Sequence, residues 1–162
     1  EIRLSLVGSE MCIRDRGRPY ASSGWCAKYI DIPSEPAFPF AFGLSYTTFE
    51  YSALKVLPGD GGKVHARVRV EVKNTGRYEG EEVVQLYVRD ESASITRPVK
   101  ELKGFEKIAL KPGEGKEVVF DITDEQLGFY DNRMNFVVEK GDFTFIVGTN
   151  SRDVDAVSYT LL

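Results

Sequence analysis

Carboxylates are the side chains of this chain best suited to chemistry, because the sequence has 25 aspartates and glutamates but a single histidine. Two carboxyl groups held about 5 Å apart can perform acid–base catalysis, as in the hydrolysis of glycosidic bonds. Asp90-Glu91 and Asp124-Glu125 are the most evident adjacent pairs. The first lies at a predicted strand end and the second in a predicted helical turn, where solvated or capping charges explain them better. We therefore assign no catalytic residue.

The other chemically capable side chains do not form a recognisable site. His65 falls on the polar side of a predicted strand, and one histidine supplies neither a metal-ligand cluster nor a Ser/His/Asp set. Cys12 and Cys26 lack the spacing of a metal site or a disulfide framework. The acidic residues do not follow the spacing of a calcium-binding loop. We expect neither a metal nor a cofactor.

Composition excludes two classes of partner. Charged residues make up 28% of the chain and the net charge is -4, with no basic stripe or block of like charge. Nucleic acid and anionic membrane surfaces are therefore poor partners. No apolar run approaches the roughly 20 residues that a membrane-spanning helix needs.

Short alternating runs separated by turn residues predict an all-β fold. From Val64 to Lys73, apolar and polar residues alternate strictly, which is typical of a half-buried antiparallel strand. The runs amount to about seven strands, and we expect an immunoglobulin-like antiparallel sandwich. A hairpin is predicted around residues 140–142, and Thr123 is predicted to cap one helical turn. The runs lie at residues 49–57, 64–73, 82–89, 99–110, 116–122, 135–139, 143–149 and 156–161.

An irregular segment, residues 17–46, precedes the strands and is called the strap below. Its prolines exclude a long helix or a central strand. It is too rich in aromatic residues for a disordered linker, because such side chains need burial. We expect the strap to lie against a partner surface through Trp25, Tyr29, Phe38, Phe40 and Phe42.

Five motifs in series resemble one known domain. The sequence FAFGLSYTTFEY begins at Phe40, VKNTG at Val72, GEEVVQLYV at Gly80, RPVKELKGF at Arg97 and LKPG at Leu110. Together they are similar to the C-terminal fibronectin type III-like domain of family-3 glycoside hydrolases, over about residues 17–162. One small departure is Ala41-Phe42, where the family often has Gly and Tyr.

The resemblance implies a parent enzyme that hydrolyses β-linked glycosides with retention, such as a β-glucosidase or β-xylosidase. In that family a barrel domain supplies a nucleophilic aspartate and an α/β-sandwich domain supplies residues for the acid/base step. The terminal sandwich braces both, so the resemblance implies a non-catalytic accessory module. It adds Arg97, in the loop of residues 91–98, to the expected interdomain contacts. It also suggests a secreted or periplasmic protein.

The same resemblance divides the chain into three parts. Residues 1–16 resemble a translated sequencing adapter, and we expect them to be a non-native, assembly-derived segment. Residues 17–46 are expected to be the end of the preceding α/β-sandwich domain and its linker. Residues 47–162 are expected to form the fibronectin type III-like domain.

One alternative function stays open, an independent carbohydrate- or protein-binding module. It would need exposed, coplanar aromatic side chains or a concave polar groove on the sandwich. Trp25, Tyr78 and Tyr87 are the sequence candidates for a platform that stacks on sugar rings. Burial at interfaces is the commoner role of such aromatic residues.

Overall fold

The structure, a computed structural model, describes residues 37–60, 62–152 and 154–161. Its strands are β1 (Phe49–Pro58), β2 (Val64–Asn74), β3 (Gly80–Asp90), β4 (Glu101–Leu110), β5 (Gly115–Thr123), β6 (Phe129–Tyr130), β7 (Phe136–Val137), β8 (Gly141–Gly148) and β9 (Val154–Leu161). One helical turn, α1 (Asp124–Leu127), lies between β5 and β6. None of the helices in this part of the chain is long and apolar enough to cross a membrane.

Two antiparallel sheets form the sandwich and confirm the predicted fold class. One sheet has the strand order β1-β2-β5 and the other has the order β4-β3-β8-β9. These seven strands match the predicted number, while β6 and β7 form a separate two-stranded ribbon. The core lies between the two sheets, as expected for strands that each present one apolar face.

Strand β2 shows how the alternating pattern produces the sandwich. Its residues Ala66, Val68, Val70 and Val72 are fully buried in the core. On its opposite face, basic side chains meet acidic partners across the neighbouring strand β5. Arg67 Nε donates to Asp121 Oδ1 at 2.9 Å, and Arg69 Nη2 donates to Glu117 Oε1 at 2.7 Å. These exposed pairs suit a solvated face and contribute little stability individually.

The facing sheet completes the core with residues from β3, β4 and β8. Alternate residues of β3 enter the core, as the sequence predicts. Phe143, Phe145 and Val147 do the same from β8. The core residues of this sheet are Val84, Leu86, Val88, Ile108, Leu110, Phe143, Phe145 and Val147.

The prediction of a hairpin around residues 140–142 is wrong. Strand β7 pairs with β6, whereas β8 pairs with β3 and β9. As an inner strand of the four-stranded sheet, β8 buries Phe143, Phe145 and Val147 in the core. This apolar burial favours the inner position over a hairpin with β7. Residues 138–140 connect the ribbon to that strand without pairing the two.

The predicted helical turn is confirmed, and its cap is more complete than the sequence analysis proposed. Thr123 caps α1 by accepting a hydrogen bond from Glu125 N, and Gln126 Oε1 accepts a reciprocal bond from Thr123 N at 2.9 Å. This capping box satisfies backbone donors that a four-residue helix would otherwise leave unpaired. Leu127, at its end, is buried in the core.

Asn74 ends β2 and connects four segments of the chain. Its side chain is fully buried. Its Oδ1 accepts hydrogen bonds from Thr47 Oγ1 at 2.6 Å and from Gly76 N at 3.0 Å. Its Nδ2 donates to Tyr78 O at 2.8 Å and to Leu110 O at 2.9 Å. Asn74 thus fixes the end of the strap, the turn after β2 and the end of β4 relative to one another.

Candidate interdomain face

The outer face of the four-stranded sheet is partly buried, although the outer face of an antiparallel sandwich is commonly solvated. Gln85 and Tyr87 project outward from β3 and are nevertheless buried. Tyr87 Oη donates to Gln85 Oε1 at 2.6 Å, and Gln85 Nε2 donates to Thr149 O at 2.5 Å. The loops at residues 91–100 and 149–152 border this network. Loops of the domain therefore cover part of this side of the sheet.

Lys100 forms part of that cover. Its Nζ lies 5.7 Å from the centre of the Tyr87 ring and donates a hydrogen bond to Ser151 O. Burial lowers the pKa of the Lys100 ammonium group from its ordinary value. The Tyr87 ring and the Ser151 carbonyl partly compensate for the hydration that the ammonium group loses on burial.

The described part of the strap lies beside this cover. Pro39 is buried, and Phe42 N donates to Pro39 O at 3.0 Å to close a turn. Ser151 N donates to Phe40 O at 3.0 Å and ties that turn to the end of the sheet. The rings of Phe38 and Phe42 lie 5.3 Å apart, and both are exposed. The described part of the strap is thus attached through its backbone, while Phe38, Phe40 and Phe42 are exposed.

A groove of about 350 Å³ opens between the strap and the sheet. Its apolar lining is exposed: Phe40 is 65% and Phe105 is 69% accessible. We call this lining the strap face, and it consists of Phe40, Leu44, Val83, Leu102 and Phe105. Contiguous exposed apolar surface of this kind marks an interaction site more often than a solvated surface.

Of the predicted contact residues, the structure places Phe38, Phe40 and Phe42 together on the strap. Trp25 and Tyr29 lie outside the described residues. Leu44, Val83, Leu102 and Phe105 were not predicted as contacts. A β-bulge opposite Leu86 and Tyr87 changes the direction of side chains along β4, and Gly104 is the local sequence signal for it.

Arg97 lies within the domain and is only 12% exposed. Its guanidinium carbon is 4.5 Å from the centre of the Phe129 ring, and its Nη2 lies 3.0 Å from Glu101 Oε1. Its Nε is buried without a hydrogen-bond partner among the described residues.

The acidic pairs considered first have structural partners. Glu91 lies 3.1 Å from Arg89 Nε and accepts a hydrogen bond from Thr144 Oγ1 at 2.6 Å. Asp124 Oδ1 lies 2.6 Å from His65 Nε2, which makes that histidine less exposed than the sequence pattern predicted. Within the described ranges, no group of three or more His, Cys, Asp or Glu residues is arranged to hold a metal ion.

The aromatic platform considered in the sequence does not form as proposed. Tyr87 is buried under Lys100, whereas Tyr78 is exposed in the turn before β3. Trp25 lies outside the described residues. Trp25, Tyr78 and Tyr87 are therefore not seen as one exposed surface.

A half-buried ionisable pair connects the two sheets. Tyr51 Oη, on β1, donates to Glu82 Oε1, on β3, at 2.9 Å. Burial raises the pKa of the Glu82 carboxyl, and the hydrogen bond from Tyr51 opposes that rise less strongly. Burial and the neighbouring carboxylate also raise the pKa of the Tyr51 phenol.

Comparison with known proteins identifies the sandwich. Residues 82–151 match the family model described as the fibronectin type III-like domain. The chain carries a fibronectin type III-like domain. The match begins in β3 and includes β4, β5, both strands of the ribbon and β8.

Relatives extend the match beyond this domain model. The periplasmic β-glucosidase of Salmonella typhimurium is 45% identical over 152 residues, covering 90% of the chain and 20% of the relative. A β-xylosidase of Formosa agariphila is 48% identical over 132 residues, covering 78% of the chain and 18% of the relative. The chain thus spans about a fifth of the length of the curated relatives it matches.

Solved structures show the same relationship. A β-glucosidase from Listeria innocua superposes with a TM-score of 0.81 at 40% identity, covering 90% of this chain and 21% of that one. A GH3 β-glucosidase from Bifidobacterium adolescentis gives a TM-score of 0.71 at 38% identity, covering 76% and 18% of the two chains. The resemblance to the fibronectin type III-like domain of family-3 glycoside hydrolases is confirmed.

The raised pKa of Glu82 predicts a pH-dependent effect on the stability of the fibronectin type III-like domain. A carboxyl whose pKa is raised by folding stabilises the fold at low pH, and that contribution is lost as the pH rises through the folded-state pKa. We therefore expect Glu82→Gln to gain stability relative to the wild type as the pH rises above the ordinary glutamate pKa of about 4.3. Urea unfolding at each pH measures this difference.

The neighbouring residue provides the control for that measurement. Glu81 is exposed and pairs with Lys107 Nζ at 2.5 Å. Glu81→Gln should show no comparable gain at neutral pH. A Glu82→Gln variant whose relative stability falls as the pH rises would contradict the assignment.

Proposed function

We propose that this chain is a non-catalytic accessory module of a retaining β-glycosidase that breaks down plant or microbial glycans. The exposed strap face is the observation that carries this proposal. The module stabilises its parent by burying the strap face against a neighbouring domain of the same polypeptide. Burial of large apolar side chains is the main favourable term in such contacts.

The proposed partners are a barrel domain and an α/β-sandwich domain of the parent. The coverage of about a fifth of each relative supports such additional domains. Residues 17–46 would be the end of the α/β-sandwich domain and its linker, residues 47–162 the accessory domain, and residues 1–16 a non-native segment. We place the parent outside the cytoplasm, because one relative is named a periplasmic β-glucosidase.

Arg97 is proposed as a second contact to the parent, in addition to Phe38, Phe40, Phe42 and the strap residues Trp25 and Tyr29. Its side chain keeps an exposed fraction of 12%, and a carbonyl or carboxylate of the neighbouring domain would bind to that part of the guanidinium group.

The isolated chain is expected to leave aryl β-glucosides and aryl β-xylosides intact. Glu91 and Asp124, one carboxylate from each acidic pair, are engaged in contacts within the domain, and the proposal assigns the catalytic carboxylates to other domains. A chromogenic assay on the purified chain measures this directly. Turnover that persists through purification would contradict a non-catalytic role.

A domain exchange tests the accessory role. The matching 152-residue region of the Salmonella typhimurium β-glucosidase is deleted, or it is replaced by this chain. We expect the deletion to inactivate rapidly on mild heating and the exchanged enzyme to retain its activity for longer. Equal inactivation rates for the deletion and the exchanged enzyme would contradict the proposal.

A further inference from the structure

A second exposed aromatic surface lies on the ribbon formed by β6 and β7. Tyr130 is 59% and Phe136 is 48% accessible, and Met134, at the tip between them, is also exposed. The ribbon packs near α1 and the start of β2, at one end of the sandwich. None of its residues belongs to the strap face.

The tip of this ribbon is rigid. Asp131 Oδ1 accepts hydrogen bonds from Arg133 N at 2.8 Å and from Asn135 N at 2.9 Å, and these bonds lower the pKa of Asp131. Asp131 N donates to Asn135 O at 2.9 Å. Met134 is held at a φ of 63°, which is unfavourable for a residue with a side chain. Strain held in place by surrounding hydrogen bonds is commonly found at binding sites.

Gly128 fixes the orientation of the Phe136 ring. A Cβ atom at Gly128 would lie 2.2 Å from Phe136 Cζ, so the ring can pack there only because position 128 is glycine. The ring of Tyr130 stands edge-on to that of Phe136, with centres 5.4 Å apart and planes inclined by 64°. The two rings form a corner in which Phe136 is the floor and Tyr130 is the wall.

Polar side chains border this corner. A groove of about 530 Å³ is lined by Tyr130 and Phe136 together with Lys63, Thr123, Asp124 and Glu125. Lys63, Asp124 and Glu125 are exposed. Carboxylates accept hydrogen bonds and an ammonium group donates them, so both kinds of partner for a hydroxyl group are present. An apolar floor with a few polar groups at its rim is the usual composition of a small-ligand site.

We propose that this corner binds a β-linked chain of glucosyl or xylosyl residues. In these sugars the ring substituents are equatorial, so each face of the ring presents axial C–H groups and the hydroxyls lie around its edge. The C–H face would pack on Phe136 beside Tyr130, while the edge hydroxyls bond to Glu125 and Lys63. The groove is open at its sides, which admits an internal segment of a chain.

This inference rests on the proposed function only for the choice of glycan, and it concerns a different surface. The corner would hold the parent enzyme near a polymeric substrate, whereas the strap face holds the module to its parent. It also differs from the platform suggested by the sequence, which involved Trp25, Tyr78 and Tyr87. The site needs one floor ring and one wall ring instead of a coplanar pair.

Affinity electrophoresis of the purified chain in gels containing laminarin or xylan tests the inference. We expect the wild type to be retarded by at least one of these polymers and not by dextran, an α-linked glucan. Tyr130→Ala and Glu125→Ala should each raise the dissociation constant measured from retardation about tenfold or more, since both remove a direct contact. Tyr78→Ala is the matched control, because Tyr78 is similarly exposed at a site outside the groove.

Circular dichroism establishes that each variant is folded before its retardation is interpreted. No retardation of the wild type by either polymer would overturn the inference, as would equal losses in Tyr130→Ala and Tyr78→Ala. The domain exchange described above separates this result from the accessory role. An exchanged enzyme carrying Tyr130→Ala should keep its thermal stability whether or not the chain binds glycan.

Discussion

Replacing Asn74 by alanine is expected to lower the free energy of unfolding by about 3 kcal/mol. The substitution removes four hydrogen bonds made by one fully buried amide. All four partners lose a bond, and two of them, Thr47 Oγ1 and the carbonyl oxygen of Leu110, lie in a region that water reaches poorly. Leaving buried polar groups unsatisfied costs more than the net value of the bonds themselves.

Urea unfolding followed by circular dichroism measures the loss. Asn74→Asp separates the two halves of the network, because aspartate keeps the acceptor for Thr47 and Gly76 but removes both donors. We expect it to be destabilised as well, since its second oxygen would face two carbonyl groups. Asn132→Ala, at an exposed position, serves as the control and should change stability by less than about 0.5 kcal/mol. A loss of that small size for Asn74→Ala would show that the network is not structurally important.

The strand pattern was predictable because it depends on local alternation. In β2 the apolar residues Ala66, Val68, Val70 and Val72 recur at every second position, which only a one-sided strand explains. The N-cap at Thr123 was predictable for a similar reason, since its partners lie within three residues. Features set by residues near one another in the sequence were predicted correctly.

Features that depend on distant residues were not predictable. Strand β8 pairs with β3 and β9 because that position buries Phe143 and Phe145. The sequence between residues 135 and 149 does not indicate these partners. The role of Asn74 in joining distant segments was not predictable, because its partners Thr47 and Leu110 are 27 and 36 residues away. The strap face joins residues 40–44 with β3 and β4, so its extent follows only from the fold.

Replacing both Phe40 and Phe105 by serine should remove most of the stabilisation that the strap face gives to a parent enzyme. Burying a phenylalanine contributes roughly 1.5–3 kcal/mol, so the two together are worth about 3–6 kcal/mol in the docked state. In the isolated chain both side chains are largely exposed, and the double variant should unfold within about 0.5 kcal/mol of the wild type. Comparing the double variant in a parent enzyme with the double variant in the isolated chain therefore separates an effect on docking from an effect on folding.

Tyr130→Ser is the matched control for this double variant. Tyr130 is exposed to a similar degree but lies on the ribbon, away from the strap face. It should leave the stability of the exchanged enzyme unchanged, although it removes an aromatic ring of comparable size. Any general effect of removing exposed aromatic side chains would appear in this variant.

Thermal inactivation tests the docking of the strap face most directly. Its rate is measured for the exchanged Salmonella typhimurium enzyme with and without the two substitutions Phe40→Ser and Phe105→Ser. We expect the double variant to lose glycosidase activity at least about tenfold faster, which corresponds to about 1.4 kcal/mol and is a conservative fraction of the apolar burial. Unfolding of the isolated chain should not change. If the double variant and the unaltered exchanged enzyme lose activity at the same rate, the strap face does not bind the neighbouring domain and the proposed accessory role is contradicted.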